Sequence, residues 1–156
     1  MAIDRPTARV LPVSPDGRVL LLQDRDPARP SELRWGTIGG GVDPGETMVE
    51  AAVREMFEET GIVVAVDGLV GPVHEDSRPF SYDGVDYLGH STFFAVPLPA
   101  DTPVSFDHLE PIEVGNVVAA DWWAPDELAT TGGMIAEDLP DIMRAGIAAV
   151  RGGDDA

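Results

Sequence analysis

Short stretches in which apolar residues alternate with polar ones, or cluster with β-branched residues, recur along the chain. They predict β-strands at residues 8–13, 19–23, 62–66, 86–96 and 117–122. Pro15-Asp16-Gly17 separates the first two stretches, and Asp83-Gly84 precedes the fourth. Because both sequences favour tight turns, we expect a hairpin at each. Residues 24–31 contain two prolines and no periodicity, which indicates a loop.

The 3.6-residue period of a helix that buries one face is clearest over residues 47–60. Thr47 and Glu50 have the spacing of a capping box at its start, and Gly61 follows as a C-cap. The expected buried positions share one face of this helix: Val49, Ala52, Val53 and Met56.

A second helix is expected over residues 138–150, and a shorter helical turn over residues 125–129 opens with a proline in its first turn. The second helix has an apolar stripe suited to packing on a sheet, formed by Ile142, Ala145, Ile147 and Val150. Residues 152–156 are expected to form an unstructured tail. We find no repeat or linker, so residues 1–151 are expected to form one domain.

The composition suits a single domain with its own core. Of 156 residues, 44% are apolar, which is enough to fold without a disulfide, and the chain contains no cysteine. No apolar run reaches the roughly 18 residues that a membrane span requires, and the N-terminal residues lack the apolar stretch of a signal peptide. We therefore expect a cytoplasmic protein with no membrane partner, either a monomer or a homodimer.

The chain is strongly acidic, with 28 Asp and Glu against 10 Lys and Arg, a formal net charge of −18. Such a surface repels duplex nucleic acid, whose binding depends on cationic side chains. It repels any phosphate ligand as well, unless a divalent cation lies between the two negative partners.

Three carboxylates lie close together near the end of the first predicted helix. Glu55, Glu58 and Glu59 stand at i, i+3 and i+4, so they project from one helical face. Neighbouring carboxylates about 6 Å apart repel by on the order of 3 kcal/mol per pair at an effective dielectric of 20. The cluster is either a solvated acidic face or a site in which a cation offsets this repulsion.

The segment before this helix favours the cation. GTIGGGVDPGE contains four glycines, which are costly unless the backbone must turn tightly or approach another group closely. Backbone carbonyl oxygens beside clustered carboxylates offer the all-oxygen coordination that Mg²⁺ or Mn²⁺ prefers.

Residues 40–62, GGVDPGETMVEAAVREMFEETGI, resemble the Nudix box, the signature of the Nudix hydrolase family. Its pattern is G, five residues, E, seven residues, R, E, an aliphatic, any, E, E, any, G and an aliphatic. Every fixed position is filled, by Gly40, Glu46, Arg54, Glu55, Met56, Glu58, Glu59, Gly61 and Ile62.

The resemblance implies an α/β fold, in which a mixed β-sheet lies between helices as an α/β/α sandwich. It also implies hydrolysis of a nucleoside diphosphate linked to another group, with Mg²⁺ or Mn²⁺. A nucleoside triphosphate or modified nucleotide is the leading substrate class. ADP-ribose or a nucleotide sugar is an alternative, as is a domain that only senses a nucleotide.

The family's roles map onto individual positions of this chain. Glu58 and Glu59 match the principal metal ligands, Glu55 matches a further ligand or a base, and the Gly39 carbonyl matches a backbone ligand. Arg54 either forms structural ion pairs with neighbouring glutamates or orients them for catalysis. Glu46 is expected to hold the loop to the helix through hydrogen bonds.

Some Nudix enzymes take their base from a later loop, and Glu113 is our candidate, with Glu110 second. Candidate base-stacking residues are Trp35, Phe80, Tyr82 and Tyr87. Candidate phosphate-binding cations are Arg25, Arg34 and Arg78.

Overall fold

The computed structural model describes residues 2–154, which form seven β-strands and three α-helices. The strands are β1 Ile3–Val13, β2 Val19–Asp24, β3 Arg34–Gly36, β4 Ile38–Gly41, β5 Val70–Tyr82, β6 Val85–Pro97 and β7 Val117–Trp123. The helices are α1 Met48–Thr60, α2 Pro125–Thr131 and α3 Leu139–Asp154.

All seven strands belong to one mixed sheet, with the central order β3-β2-β1-β6-β5. β1 and β6 run parallel, and the other pairs are antiparallel. β4 pairs with β1, and β7 pairs with β2. The predicted hairpin turns join β1 to β2 and β5 to β6. The mixed sheet expected from the sequence is confirmed.

The central strands bury side chains on both faces, which explains their almost continuous apolar sequences. On β1, Ala8 and Val10 belong to one core cluster, whereas Leu11 and Val13 belong to the other. The first cluster includes α1 side chains and the second includes α3 side chains. The sheet therefore lies between helices, as an α/β/α sandwich.

The caps of α1 agree with the sequence. Thr47 Oγ1 accepts a hydrogen bond from the Glu50 N–H, and the Glu50 carboxylate accepts one from the Thr47 N–H. Gly61 ends the helix with φ 73°, in the left-handed region that glycine adopts without strain.

The third helix is longer than the sequence indicates, since it continues through Asp154. Residues 152–154 of the expected tail are thus helical, whereas Asp155 and Ala156 lie outside the described residues. In the apolar stripe, Met143 is fully buried and Ala145 is only partly buried, so the buried face is turned slightly from the expected one. No helix within residues 2–154 is long and apolar enough to cross a membrane.

The predicted strand at residues 62–66 is wrong. Ile62 is 6% exposed, but Val63 and Val66 are 79% and 53% exposed, and the segment leads into a 3₁₀ turn at Val66–Gly68. Its apolar residues suggested a strand, yet no neighbouring strand pairs with it within the described sheet.

Several strand regions were not predicted, among them the three-residue β3 and the first residues of β1. β4 lies in the glycine-rich segment, which has low β-propensity, and it forms through pairing with β1 from Thr7↔Gly41 to Val10↔Ile38. The first part of β5 includes five consecutive polar residues, His74 to Arg78, so the usual apolar alternation is missing.

Candidate active site

The acidic face of α1 is not a solvated surface. Glu55 and Glu59 are only 7% and 5% exposed, and Glu58 is partly buried. They adjoin the buried face of α1, because Glu55 lies one turn from Ala52 and Glu59 one turn from Met56, and both apolar side chains are completely buried. Burying carboxylates is costly unless hydrogen bonds or cations compensate for the lost water, so their partners decide what this site can do.

The glycine run, residues 39–41 on β4, packs directly against these carboxylates. The Gly39 N–H donates to Glu59 Oε1 at 2.6 Å. A Cβ on Gly40 would lie 2.7 Å from Glu55 Oε1, closer than two such atoms can approach. The glycine backbone therefore approaches another group closely, as expected, and that group is the chain's own pair of glutamates.

Arg54 links the loop before α1 to the glutamates. Its Nε and Nη2 donate to the two oxygens of Glu46 at 2.8 and 2.9 Å, and Nη2 also donates to the Gly41 carbonyl at 2.9 Å. Its Nη1 donates to Glu55 at 3.0 Å and to Glu58 at 3.3 Å. Arg54 thus forms ion pairs with Glu46 and with two of the clustered glutamates.

Glu50 is not an Arg54 partner in this structure, because its carboxylate is used in the helix cap. Glu46 has the supporting role expected of it, since it accepts from Arg54 and from the Asp43 N–H, at 3.0 Å for the latter.

The loop between β6 and β7 brings two more carboxylates to α1. It is held along the helix by the Ser105 N–H, which donates to the Thr60 carbonyl at 2.8 Å, and by stacking of His108 on Phe57. Carboxylate oxygens of three residues then lie within 4.8 Å of one another, those of Glu55, Glu58 and Glu110.

Glu113, the second loop acid, lies close enough to Glu59 to raise the pKa of the Glu59 carboxyl. We call these five residues the glutamate cluster: Glu55, Glu58, Glu59, Glu110 and Glu113. Both loop acids proposed from the sequence therefore reach the cluster, although they lie about 50 residues beyond α1 in the chain.

Electrostatics show that the cluster is short of positive charge. Burial raises the pKa of Glu55 to about 7, even though Arg54 opposes the shift. Burial also raises the pKa of Glu59 well above its usual range, and Glu113 and Glu55 add to the effect. The pKa of Glu58 is raised by burial and by neighbouring Glu110. A bound cation would relieve this repulsion.

Arg9, which sequence reasoning missed, lies on the other side of the glycine run. Its Nη1 donates to the Gly39 carbonyl at 3.0 Å. Burial lowers the pKa of its guanidinium, while the nearby Glu59 and Glu55 raise it. The Gly39 carbonyl, expected to bind a metal, thus already accepts one hydrogen bond, although its oxygen has a second lone pair. No local pattern around Arg9 marks it, because it is a single polar residue in a strand.

The arginines chosen from the sequence have other partners. Arg78 donates to Asp138 at 2.7 Å and to Asp76 at 2.8 Å, which joins β5 to the start of α3. Arg34 pairs with Asp24 at 3.4 Å, and Arg25 donates to the Gly115 carbonyl.

The aromatic candidates form two groups. Trp35 contacts Trp123 edge to face, with centroids 5.3 Å apart, and packs against the core on the α3 side. Phe80 and Tyr87 stack with centroids 5.1 Å apart, and Arg5 lies 5.4 Å above the Tyr87 ring.

Tyr82 lies near two carboxylates, one of which belongs to the glutamate cluster. Burial raises the pKa of its phenol, and the carboxylates of Asp24 and Glu113 add to this shift.

The structure combines a sheet between helices with buried glutamates that face a glycine run. This combination is typical of a class of hydrolase domains, and comparison with known families shows which family the chain belongs to. The family model described as the NUDIX domain matches residues 4–144. The chain belongs to the NUDIX family, as its resemblance to the Nudix box implied.

Two curated relatives illustrate the range of the family. Over 84 residues the chain is 39% identical to an RNA pyrophosphohydrolase of Sphingopyxis alaskensis, which covers 54% of this chain and 49% of that protein. Over 95 residues it is 30% identical to an oxidized purine nucleoside triphosphate hydrolase of Mus musculus, which covers 60% and 58% respectively. The chain thus spans about half the length of these relatives.

Among solved structures, a MutT protein from Methanosarcina mazei Go1 matches with a TM-score of 0.69 and 19% identity, over 92% of each chain. At this identity the likeness shows the fold.

Proposed function

We propose that this chain is a metal-dependent pyrophosphohydrolase, which cleaves a phosphoanhydride bond in a nucleoside diphosphate linked to another group. The observation that carries this proposal is the glutamate cluster, where five carboxylates meet and two of them are buried. A purely structural cluster would be expected to carry matching cations. Membership of the NUDIX family supports the same reaction.

The donor set fits Mg²⁺, with Mn²⁺ as a substitute, because all its atoms are hard oxygens. Glu55, Glu58 and Glu59 would hold the metal, and Glu110 would complete the group because its carboxylate lies with Glu55 and Glu58. The Gly39 carbonyl remains a candidate backbone ligand.

Divalent cations at this cluster would neutralise the phosphoryl groups and promote ionisation of the attacking water. Arg54 would fix the orientation of Glu55 and Glu58 through its hydrogen bonds. Glu113 would be the general base. Its carboxylate accepts a hydrogen bond from the Glu110 N–H at 3.3 Å and lies close enough to Glu59 to raise the pKa of that residue. Because it does not belong to the group that Glu110 forms with Glu55 and Glu58, we assign it to the attacking water and not to the metal.

The substrate we propose first is a nucleoside triphosphate or a modified nucleotide, and the activity of the mouse relative, an oxidized purine nucleoside triphosphate hydrolase, supports this choice. ADP-ribose and nucleotide sugars are the second class. The net charge of −18 argues against duplex nucleic acid. A cytoplasmic location, a single domain over residues 1–151, and a monomer or homodimer complete the proposal.

A substrate screen tests the activity. Nucleoside triphosphates, 8-oxo nucleotides, dinucleotides, ADP-ribose and nucleotide sugars are each incubated with Mg²⁺, and release of nucleoside monophosphate, pyrophosphate or phosphate is measured. We expect turnover of at least one class, loss of turnover in EDTA, and no cleavage of carboxylic esters or phosphomonoesters. Turnover that persists in EDTA would contradict the proposal, and tight nucleotide binding without turnover would favour a sensing domain.

A further inference from the structure

Arg9 is placed differently from the other arginine near the catalytic glutamates. On β1 its side chain shares a face with Leu11 and Val13, which belong to the core on the α3 side. On the same face, Thr7 Oγ1 bonds Ser91 Oγ at 2.8 Å. α3 packs as far as Leu11, against which its Gly146 lies. Arg9 therefore stands on the sheet just beyond the helix, and its side chain is partly exposed.

Most of the hydrogen-bonding capacity of Arg9 is unused within residues 2–154. A guanidinium has five N–H donors, and in this part of the chain Arg9 makes one hydrogen bond, to the Gly39 carbonyl at 3.0 Å. It has no carboxylate within ion-pair distance among these residues. Arg54 differs, because all three of its nitrogens already donate to protein oxygens. The nitrogens of Arg54 all donate to the protein already, whereas the remaining N–H groups of Arg9 can still donate to an anion.

A single residue, Gly39, separates Arg9 from the catalytic carboxylates. The Gly39 N–H faces Glu59 and the Gly39 carbonyl faces Arg9. Gly39 has φ 144°, and a Cβ there would lie 2.3 Å from the Ala8 carbonyl oxygen and 2.7 Å from Arg9 Cδ. Because no side chain fills this space, the arginine and the glutamates lie on either side of a thin backbone segment at the end of the cluster.

We propose that Arg9 is a substrate-binding residue, whose guanidinium binds non-bridging oxygens of the pyrophosphate while the glutamate cluster holds the metal. This inference rests on the proposed function and adds a phosphate-binding residue to it. Arg and phosphate form strong, charge-assisted and often bidentate hydrogen bonds. In a chain of net charge −18, a cation beside the cluster would also favour the approach of an anionic substrate.

Two other roles for Arg9 give different results. If Arg9 only supports the glycine run, a side chain that still donates to the Gly39 carbonyl should preserve function. If it only compensates the charge of Glu59 and Glu55, its removal should change metal affinity without changing affinity for a phosphate group.

Arg9→Gln separates these roles, because glutamine can still donate to the Gly39 carbonyl but has no charge. The probe is methylenediphosphonate, a non-hydrolysable pyrophosphate analogue, titrated with saturating Mg²⁺ in a calorimeter. Mg²⁺ is also titrated alone. We expect Arg9→Gln to weaken diphosphonate binding about 10- to 100-fold, the scale of one charged hydrogen bond or two. Mg²⁺ affinity should be unchanged or slightly higher, and KM for the best nucleotide should rise more than kcat falls.

The control is Arg144→Gln, which changes the net charge equally. Arg144 is exposed on α3, where it pairs with Asp126 and Asp141. This variant should bind the diphosphonate like the wild type. Wild-type diphosphonate affinity in Arg9→Gln would overturn the inference, as would a loss of equal size in Arg144→Gln.

Arg9→Lys provides a second test that does not depend on how well the glutamine variant folds. It keeps the charge but loses the planar fork, so we expect diphosphonate binding to weaken several-fold at unchanged Mg²⁺ affinity. If only this variant folds, unchanged diphosphonate affinity in it overturns the inference.

The two proposals can fail separately. Wild-type protein that cleaves a nucleotide, together with an Arg9→Gln variant of normal affinity, would refute the role of Arg9 alone. Wild-type protein that neither cleaves any nucleotide nor binds diphosphonate with Mg²⁺ would refute both.

Discussion

Two clusters in this structure bring three potential metal-ligand groups within 4.8 Å of one another: Glu55, Glu58 and Glu110 in one, His74, Asp76 and Asp138 in the other. They differ in how their charge is balanced. In the second cluster Arg78 donates to both aspartates, so each has a cationic partner. In the first, Arg54 contacts Glu55 and Glu58, but Glu110 has no ion pair within residues 2–154, and neither do the adjoining Glu59 and Glu113.

The pKa shifts follow this difference. The hydrogen bond from Arg78 lowers the pKa of Asp138, as expected where the ionised form is stabilised. Burial raises the pKa of Glu55 and Glu59, because their ionised forms are insufficiently compensated. Proximity of acids is thus a weak indication of function. Uncompensated charge on buried acids is a stronger one, since it costs stability that a bound cation or a proton can recover.

The largest expected effect distinguishes base from ligand within the glutamate cluster. Glu113→Gln should lower turnover by about 100- to 10,000-fold, the range for loss of a general base, with little change in the Mg²⁺ concentration that gives half-maximal rate. Glu55→Gln should instead raise that concentration. Mg²⁺ titrations of steady-state rates measure both. Full activity in Glu113→Gln, with a collapsed rate at unchanged Mg²⁺ requirement in Glu55→Gln, would move the base onto α1.

The next effect compares the two clusters directly. Glu58→Gln and Glu59→Gln should each lower turnover by about 100- to 1,000-fold, because each removes a charge that stabilises the transition state through the metal. Both variants should fold, as circular dichroism would check. Asp76→Asn is the matched change in the other cluster and should keep turnover near the wild-type value. Near-normal rates in both glutamate variants would contradict a catalytic role and indicate that the cluster is structural.

A smaller effect is expected in the pH dependence of the unfolding free energy when no metal is bound. Glu55 has a pKa near 4.5 when unfolded and about 7 when folded, so between these values the folded state binds more protons. Unfolding free energy should therefore fall as pH rises from about 5 to 7, by about 1–3 kcal/mol for this residue. Urea denaturation of wild type and Glu55→Gln at several pH values measures it, and the variant should show the shallower dependence.

Saturating Mg²⁺ should flatten the wild-type dependence, and at about 100 times its Kd it should add about 2.7 kcal/mol to the unfolding free energy. A wild-type stability that does not respond to Mg²⁺ or Mn²⁺ would argue against a preformed site.

The smallest effect is expected in the cluster around Arg78. The Asp138 and Arg78 side chains are 43% and 39% exposed, so their ion pair is screened by solvent. Asp138→Asn should lower the unfolding free energy by only about 0.5–1 kcal/mol at pH 7 and leave turnover unchanged. Because the pKa of Asp138 is lowered, this contribution is present above pH about 4 and disappears on further acidification. A large loss of activity at pH 7 would place this cluster in the catalytic machinery.

Helix α1 shows what could be predicted from the chain alone. Its capping box, its C-cap at Gly61 and the spacing of Glu55, Glu58 and Glu59 all depend on residues within one turn of each other. Such local interactions are determined by covalent spacing, and this is why the pattern of residues 40–62 indicated both the helix and its chemistry.

Three features of the site depend on contacts between distant residues. The glycine run became a strand because β1 pairs with it, against its own low β-propensity. Glu113 reached Glu59 because its loop is held along α1. Arg9 faces Gly39 because the register of β1 and β4 places them opposite each other.

The burial of Glu55 and Glu59 could not be predicted from the sequence either, because it depends on the folded chain. An i, i+3, i+4 spacing tells which side chains share a helical face, but not whether that face meets solvent or another element. Local sequence determined which groups are available and how those on α1 are spaced. Tertiary structure decided which distant groups join them and how much water they keep, because desolvation and charge compensation depend on every element packed around a group.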